Sequence, residues 1–398
     1  MKYNFDEVID RSNTFSCKFM PEYLPANPIE YPDVISLFVA EMDFRCSNGI
    51  KEALQKVVDF NMYGYTVFDD EQSTRRYYDA VIRWYKKRYG WELEKKNIFY
   101  STGALDSAKV ALKAFTKPGD KVLVSRPVYH AFEHAVIQSV GREVLNNELL
   151  KSEEGYYTID FEDLERKAEQ PDVTAYLICS PHNPVGRVWT EEEILRIHDI
   201  CRRNNVLMIV DEVHADFIRK DKKFVSFGKV TGGKGVITCS GVGKTFNLAQ
   251  MMAGHAIITD EDLIEDFAKN IPFIMSPWAT YEAVIAAYTQ SDDWYEQVCE
   301  YIDGNIYALA DFLRERMPKV KFLIPEGSYV MWLDFSAYGI SDEEIHRRVN
   351  DKAGVILQHG SMFDHGGSQG VLRVNVPSPR AKIIEGFERI AKEFEDLE

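Results

Sequence analysis

Four short motifs carry the residue types that could do chemistry in this chain, and each follows an apolar run of strand length. The first, Ser101-Thr102-Gly103-Ala104-Leu105, follows Ile98–Tyr100 and opens a helical stretch. Backbone N–H groups at such a helix start bind phosphate well, although a plain strand-to-helix turn reads the same way. The second, Ser180-Pro181-His182-Asn183-Pro184-Val185-Gly186, follows Ala175–Cys179. Its Asn-Pro step can aim an amide into a crevice, and it can equally be a simple turn, since both residues favour turns. The third, Asp211-Glu212-Val213-His214, ends the run Leu207–Val210. A carboxylate there could protonate a pyridine nitrogen, cap a helix or ligate a metal. The fourth, Ser240-Gly241-Val242-Gly243-Lys244-Thr245-Phe246-Asn247, follows Val236–Cys239. Its Gly-Lys-Thr invites a nucleoside-triphosphate reading, but that pattern needs glycine five positions before Gly243, where this chain has Thr238. A histidine pair, His130 and His134, lies four residues apart. With no third ligand in view it reads as a solvated helix face, and no metal is expected.

The elements that must position these motifs alternate. Candidate strands are Ile98–Tyr100, Val122–Ser125, Ala175–Cys179, Leu207–Val210, Val236–Cys239 and His255–Ile258. Helical stretches separate several of them: Ala104–Phe115 has apolar residues spaced by three and four, and Glu191–Arg203 follows Thr190, a candidate cap. That rhythm predicts an α/β fold with a doubly wound sheet covered on both faces, which carries ligand groups at the carboxyl ends of its strands. Beyond Trp278 the character changes. A helix over Asp292–Met317, strands at Lys321–Leu323 and Tyr329–Asp334, a helix at Asp342–Asn350, a strand at Val371–Asn375 and a last helix from Pro379 predict a smaller α+β domain. Pro21, Pro25, Pro28 and Pro32 predict an extended arm at the start. The expected division is an arm over 1–45 joining the small domain, a large domain over 46–285 and a small domain over 286–398.

Bulk properties narrow the function classes. The 398 residues suit two domains, and 45% apolar composition suits a well-buried core. A formal charge of −16 repels phosphate backbones, so nucleic-acid binding is not expected. No apolar run is long enough to span a membrane, and Met1–Glu7 lacks the basic start and apolar run of a signal peptide. The six cysteines are scattered without a CxxC, which argues against a zinc knuckle or a disulfide framework and fits a reduced, cytoplasmic setting.

Together the motifs resemble the fold-type I pyridoxal-phosphate enzymes, and most closely the MalY/PatB group of carbon–sulfur β-lyases. Val39-Ala40-Glu41-Met42-Asp43-Phe44 is similar to that group's VADMDF stretch. Gly64-Tyr65-Thr66, Arg126-Pro127-Val128-Tyr129-His130-Ala131-Phe132, the Asn183 turn, Asp211-Glu212-Val213-His214 and Lys244-Thr245-Phe246-Asn247 follow in family order. Val371-Leu372-Arg373-Val374-Asn375 through Pro379-Arg380 matches the family ending. The chain departs from the superfamily at Gly241 and Gly243, where serines are common, and at His214, where many aminotransferases have tyrosine and the β-lyases have histidine.

The resemblance implies pyridoxal 5′-phosphate as cofactor, carried by Lys244 as a Schiff base, with the released lysine acting as acid and base. It implies Asp211 at the pyridine nitrogen, Asn183 at the phenolic oxygen and Tyr129 stacked on the ring. His214 would complete the ring's surroundings. The N–H groups of Ala104 and Leu105 would hold the phosphate, joined by Tyr65 of a partner subunit in a homodimer with shared active sites. Arg373 would grip the carboxylate of a small amino-acid substrate, beside Ala40 and Asn183. The expected reaction is β-elimination from cystathionine or a related cysteine S-conjugate, giving a thiol, pyruvate and ammonia. A class I/II aminotransferase would use the same residues. A catalytically idle regulatory protein would have no need to keep Lys244, Asp211 and Arg373 together.

Overall fold

The computed structural model describes residues 2–20, 33–66 and 71–397. Pro21, Pro25, Pro28 and Pro32, on which the extended-arm expectation rests, lie outside the described residues. A seven-stranded sheet organises the middle of the chain: β1 (Ile98–Ser101), β2 (Lys121–Val124), β3 (Glu143–Asn146), β4 (Val173–Cys179), β5 (Leu207–Asp211), β6 (Val236–Gly241) and β7 (Gly254–Ile257). Their order is β1-β7-β6-β5-β4-β2-β3, and β7 runs antiparallel to both neighbours while the remaining pairs are parallel. Successive residues of one strand enter opposite cores: Leu123, Tyr176, Ile178, Met208 and Val210 pack on one face, and Val122, Val124, Ala175, Leu177 and Ile209 on the other. Burial on both faces is why these strands read as continuous apolar runs rather than as an alternation.

The helices expected beside the sheet form where their sequences dictate. Ala104–Phe115 is α3, after α1 (Asn48–Phe60) and α2 (Glu71–Tyr89). Phe161–Ala168 is α4 and Glu191–Arg203 is α5. A capping box starts α5: the Thr190 hydroxyl accepts from the Glu193 N–H at 3.1 Å, and the Glu193 carboxylate accepts from the Thr190 N–H at 2.8 Å. Two longer helices, α6 (Trp278–Gln290) and α7 (Asp292–Arg316), lead out of this layer. Along α7, Trp294, Val298, Tyr301, Ile302, Asn305, Ile306 and Leu309 are buried, the spacing of one helical stripe.

A second, antiparallel sheet holds β8 (Lys321–Phe322), β9 (Val330–Asp334), β10 (Gln358–His359) and β11 (Val371–Asn375) in the order β8-β9-β11-β10. The last helix, α8, is Arg380–Phe394. The N-terminal segment meets this part twice. Ile35–Ser36 pairs in parallel with Val355–Ile356, and the Phe5 ring packs against Phe44, Trp294 and Tyr301. The helix expected over Asp342–Asn350 is an α-helix only over Asp342–His346. It continues as a wider turn over Arg347–Lys352, closed by a bond from the Ala353 N–H to the Arg348 carbonyl at 3.0 Å.

Candidate active site

The parallel strands end side by side, with Cys179 in register with Asp211 and Asp211 with Cys239. Residues at and just beyond those ends line a cavity of about 390 Å³, where Asn183, Asp211, His214 and Lys244 meet Tyr129, Arg373 of β11 and Ala40. This is the carboxyl-end crevice in which open α/β sheets bind ligands.

Lys244 sits on a four-residue helical turn, Val242–Thr245, directly after β6, and its Nζ donates to the Ala40 carbonyl at 2.6 Å. The flanking residues hold that turn from both sides. The Thr245 hydroxyl donates to Asp216 at 2.6 Å, and the same buried carboxylate accepts from Tyr89 at 2.7 Å and Trp84 at 3.3 Å. Asn247, at φ 57°, accepts from the Met42 N–H at 3.0 Å and donates to the Met42 carbonyl at 2.8 Å. Asparagine tolerates this left-handed conformation better than most residues. Burial, with the nearby Arg373 charge adding to it, pushes the Lys244 amine down to about 8. It is therefore far readier to lose its proton near neutrality than an exposed lysine.

Asp211 closes β5 and is buried, and its Oδ1 accepts one backbone bond, from Val213 at 3.1 Å. Burial pushes its carboxyl up to about 6, against the Val213 N–H and the Lys244 charge. Arg373 is buried too. Its Nη1 donates to Asn183 Oδ1 at 3.1 Å and its Nη2 to the Phe38 carbonyl at 2.9 Å, while its Nε has no partner. The ring of Phe363 lies 4.9 Å from the guanidinium. His214 shares a hydrogen bond between Nδ1 and the Ser328 hydroxyl at 3.0 Å, and burial pushes its pKa well below the ordinary value, which keeps it neutral.

Tyr129 lines the cavity, whereas Phe132 is a core residue. Asn375 lies within β11, and its amide donates to the Glu41 carbonyl at 2.7 Å. The solvated-face expectation for the histidine pair holds only for His134, which is exposed and bonds Gln138. His130 is half-buried against the cavity, and its Nδ1 has no partner; it precedes a wide turn over Phe132–Ile137 rather than lying on a regular helix face. Among the described residues, no group of three or more His, Cys, Asp or Glu could hold a metal ion.

Ala104 and Leu105 do not line the cavity, but the strand register sets them beside it. Gly254 pairs with Ser101 on one side and with Gly241 on the other, three residues before Lys244. A Cβ on Gly254 would meet the Gly103 backbone at 2.7 Å, so glycine lets β7 approach the start of α3. Space in front of Gly103 is open within 4 Å. The first N–H groups of α3 have no intrahelical partner, as at any helix start. Ser240, the hydroxyl shifted by one from the superfamily pattern, turns to the Glu212 carbonyl at 3.5 Å. Tyr65 is 93% exposed and does not line this chain's own cavity.

These features fit a phosphorylated pyridine aldehyde. The donor set offers an amine of lowered basicity, a buried carboxylate with one partner, an amide, an aromatic face and a glycine-lined helix start. Sequence reasoning missed Asp216, which anchors the Lys244 turn through Thr245, and Ser328, which orients His214. Both lie far along the chain from the motifs they serve. An acid five residues after Asp211, ending the same motif-bearing turn, was the available signal for the first.

Comparison with known proteins places the chain among pyridoxal-phosphate enzymes of one fold. The family model for aminotransferase class I and II matches residues 32–390. The chain is 36% identical to cystathionine beta-lyase PatB of Bacillus subtilis over 97% of its own length and 98% of that protein's. Its fold matches cystalysin of Treponema denticola, a structure containing pyridoxal 5′-phosphate, with a TM-score of 0.91 at 32% identity over 100% of both chains. The pyridoxal-phosphate-bound C–S lyase of Staphylococcus hominis gives 0.89 at 30% identity, covering 99% of this chain and 98% of that one.

Proposed function

This chain belongs to the aminotransferase class I and II family, and from that premise we propose that it is a pyridoxal-phosphate-dependent carbon–sulfur β-lyase. Its substrate is cystathionine or a related cysteine S-conjugate, and with one water the products are a thiol, pyruvate and ammonia. The observation that carries this reading is the convergence of Lys244, Asp211, Asn183 and Arg373 on one cavity. Pyridoxal phosphate, when bound, supplies an electron sink conjugated to the substrate's Cα.

The chain's own residues do the rest. Lys244 holds the cofactor and then takes the Cα proton, work suited to an amine of pKa about 8. Asp211 would keep a proton at the pyridine nitrogen, and Asn183 would donate to the phenolic oxygen. Tyr129 would cover the ring, with the neutral His214 beside it, and the N–H groups of Ala104 and Leu105 would hold the phosphate. Arg373 holds the substrate carboxylate as a fork, next to Ala40, and its bond to Asn183 joins the two binding tasks. The thiolate then leaves with the Cβ–S electron pair.

The working unit is a homodimer in which Tyr65 of one chain reaches the phosphate of the other. Phe60, Met62, Tyr63 and Tyr65 form an exposed run at the end of α1, 60%, 68%, 70% and 93% accessible, and a second copy covers such a surface. The chain divides into an arm over 1–45, a large domain over 46–285 and a small domain over 286–398. No helix among the described residues is long and apolar enough to cross a membrane, and the cysteines are free, which supports a cytoplasmic setting.

The aminotransferase reading remains the competing one, since the matching family model carries that name and every residue above serves both. Product analysis with and without a keto acid separates them. Pyruvate and thiol released continuously without keto acid support elimination, whereas dependence on keto acid supports transamination.

A further inference from the structure

The cavity extends past the residues assigned above, where its wall is made by the segment after Asp342 and by β10. His346, Asn350, Gln358 and His359 line this outer end, with Met362 and Met20 beside them. The two imidazole rings lie 4.0 Å apart, and His359 Nδ1 is 3.6 Å from Asp342. The amide donors face their neighbours: Asn350 Nδ2 lies 3.4 Å from His346 Nε2, and Gln358 Nε2 lies 3.9 Å from Met362 Sδ. The amide oxygens, Asn350 Oδ1 and Gln358 Oε1, are buried without a hydrogen-bond partner.

The electrostatics point the same way. Burial and the neighbouring His359 push His346 below its ordinary pKa, while Asp351 and Asp342 act in the opposite sense. A neutral imidazole has one acceptor nitrogen, and in His346 the Nε2 faces the Asn350 amide. The cations of the same segment are engaged elsewhere: Arg347 with Glu344, Arg348 with Glu344 and Asp396, and Lys352 with Glu393. The outer wall thus presents two unpartnered amide oxygens, with the Asp342 carboxylate behind His359, and the cations of that segment are paired elsewhere; the cations that do line the cavity are Lys244 and Arg373, the latter across the sheet from Gln358. The thioethers of Met20 and Met362 give it a soft, polarisable side.

We infer that this outer wall is a subsite for the far end of the substrate side chain, and that the end it takes is an ammonium group. An ammonium brings three donors to a wall with two unpartnered amide acceptors. The inference rests on the lyase reading and narrows it: the preferred leaving thiols carry a primary amine. Asn350 and Gln358 are its specificity residues, and neither carries a role at the reacting atoms.

The test uses the cofactor-loaded enzyme with S-methyl-L-cysteine as a reporter too short to carry a distal charge. L-Lysine and L-2-aminoheptanoate compete with it; they have the same chain length, no leaving group, and differ only in the terminal ammonium or methyl. L-Lysine is expected to inhibit at a concentration at least about tenfold lower, the effect of one hydrogen-bonded charge. In Asn350→Leu combined with Gln358→Leu the two inhibitors should converge to within about threefold. Equal inhibition of the wild type, with S-methyl-L-cysteine still cleaved, overturns the subsite alone. A lysine preference that survives in the double variant overturns its assignment to these residues. If neither S-methyl-L-cysteine nor L-cystathionine is cleaved, the lyase reading falls and the subsite falls with it; if only L-cystathionine is cleaved, the same two inhibitors are compared against it. The wild-type comparison decides the matter even if the double variant fails to fold.

Discussion

Lys244 combines two properties that an exposed lysine lacks: a fixed position, through Thr245, Asn247 and the Ala40 carbonyl, and an amine lowered to about 8. The neutral amine is the reactive form, and a lowered pKa makes it available at lower pH. Capture of pyridoxal phosphate by the cofactor-free protein should therefore rise through a midpoint near pH 8, against the ordinary lysine value of 10.5. Stopped-flow absorbance at graded pH measures this, and a midpoint above pH 10 would contradict it. Lys244→Ala should lose the borohydride-stable attachment of the cofactor and about 10²–10⁴-fold or more in turnover. At Arg373 the same logic concerns shape. Lysine there keeps the charge and loses the fork, so Arg373→Lys should raise KM for the amino acid by about 10–100-fold with a smaller change in kcat.

Elements set these residues in place, and glycine lets two of them meet. The Gly254 Cα lies where β7 passes the start of α3, and a methyl there would press on Gly103 at 2.7 Å. Gly254→Ala should weaken cofactor binding more than it lowers the melting temperature, since the nearest atoms are those of the Gly103–Ala104 turn proposed to hold the phosphate. Equilibrium titration of the cofactor beside thermal denaturation checks it, and unchanged cofactor affinity would contradict it. Much of this level was legible in the sequence. The parallel strands announced themselves as apolar runs because both faces are buried, and the start of α5 was marked by Thr190, to which the structure adds Glu193 as its capping partner. What was not legible had local causes. Strand β3 is an edge strand of half-exposed residues and carries no apolar run. Strand β10 has two residues, and its neighbours in the sheet are fixed by tertiary pairing with β11 rather than by its own composition. The outer wall of the cavity was missed for the same reason, since His346, Asn350 and Gln358 belong to no motif and converge only through the fold.

At the scale of the whole molecule, the site is incomplete in one chain if Tyr65 serves its partner. The position of Tyr65, exposed and away from its own cavity, is what that arrangement requires. Mixed dimers of Tyr65→Phe and Lys244→Ala chains should recover part of the activity that the Lys244→Ala homodimer lacks, because one of the two sites regains both residues. Full activity from a demonstrably monomeric sample would contradict the shared site. The central claim concerns the fate of the electrons left at Cα once its proton is removed. Elimination needs only a leaving group at Cβ, and a thiolate is a competent one; transamination needs a second substrate to restore the cofactor. The most direct measurement is therefore the time course of pyruvate release from L-cystathionine by the cofactor-loaded enzyme without any keto acid. Many equivalents of pyruvate, ammonia and homocysteine per active site are the expected result, and a reaction that stops after one equivalent and resumes on adding a keto acid would contradict it.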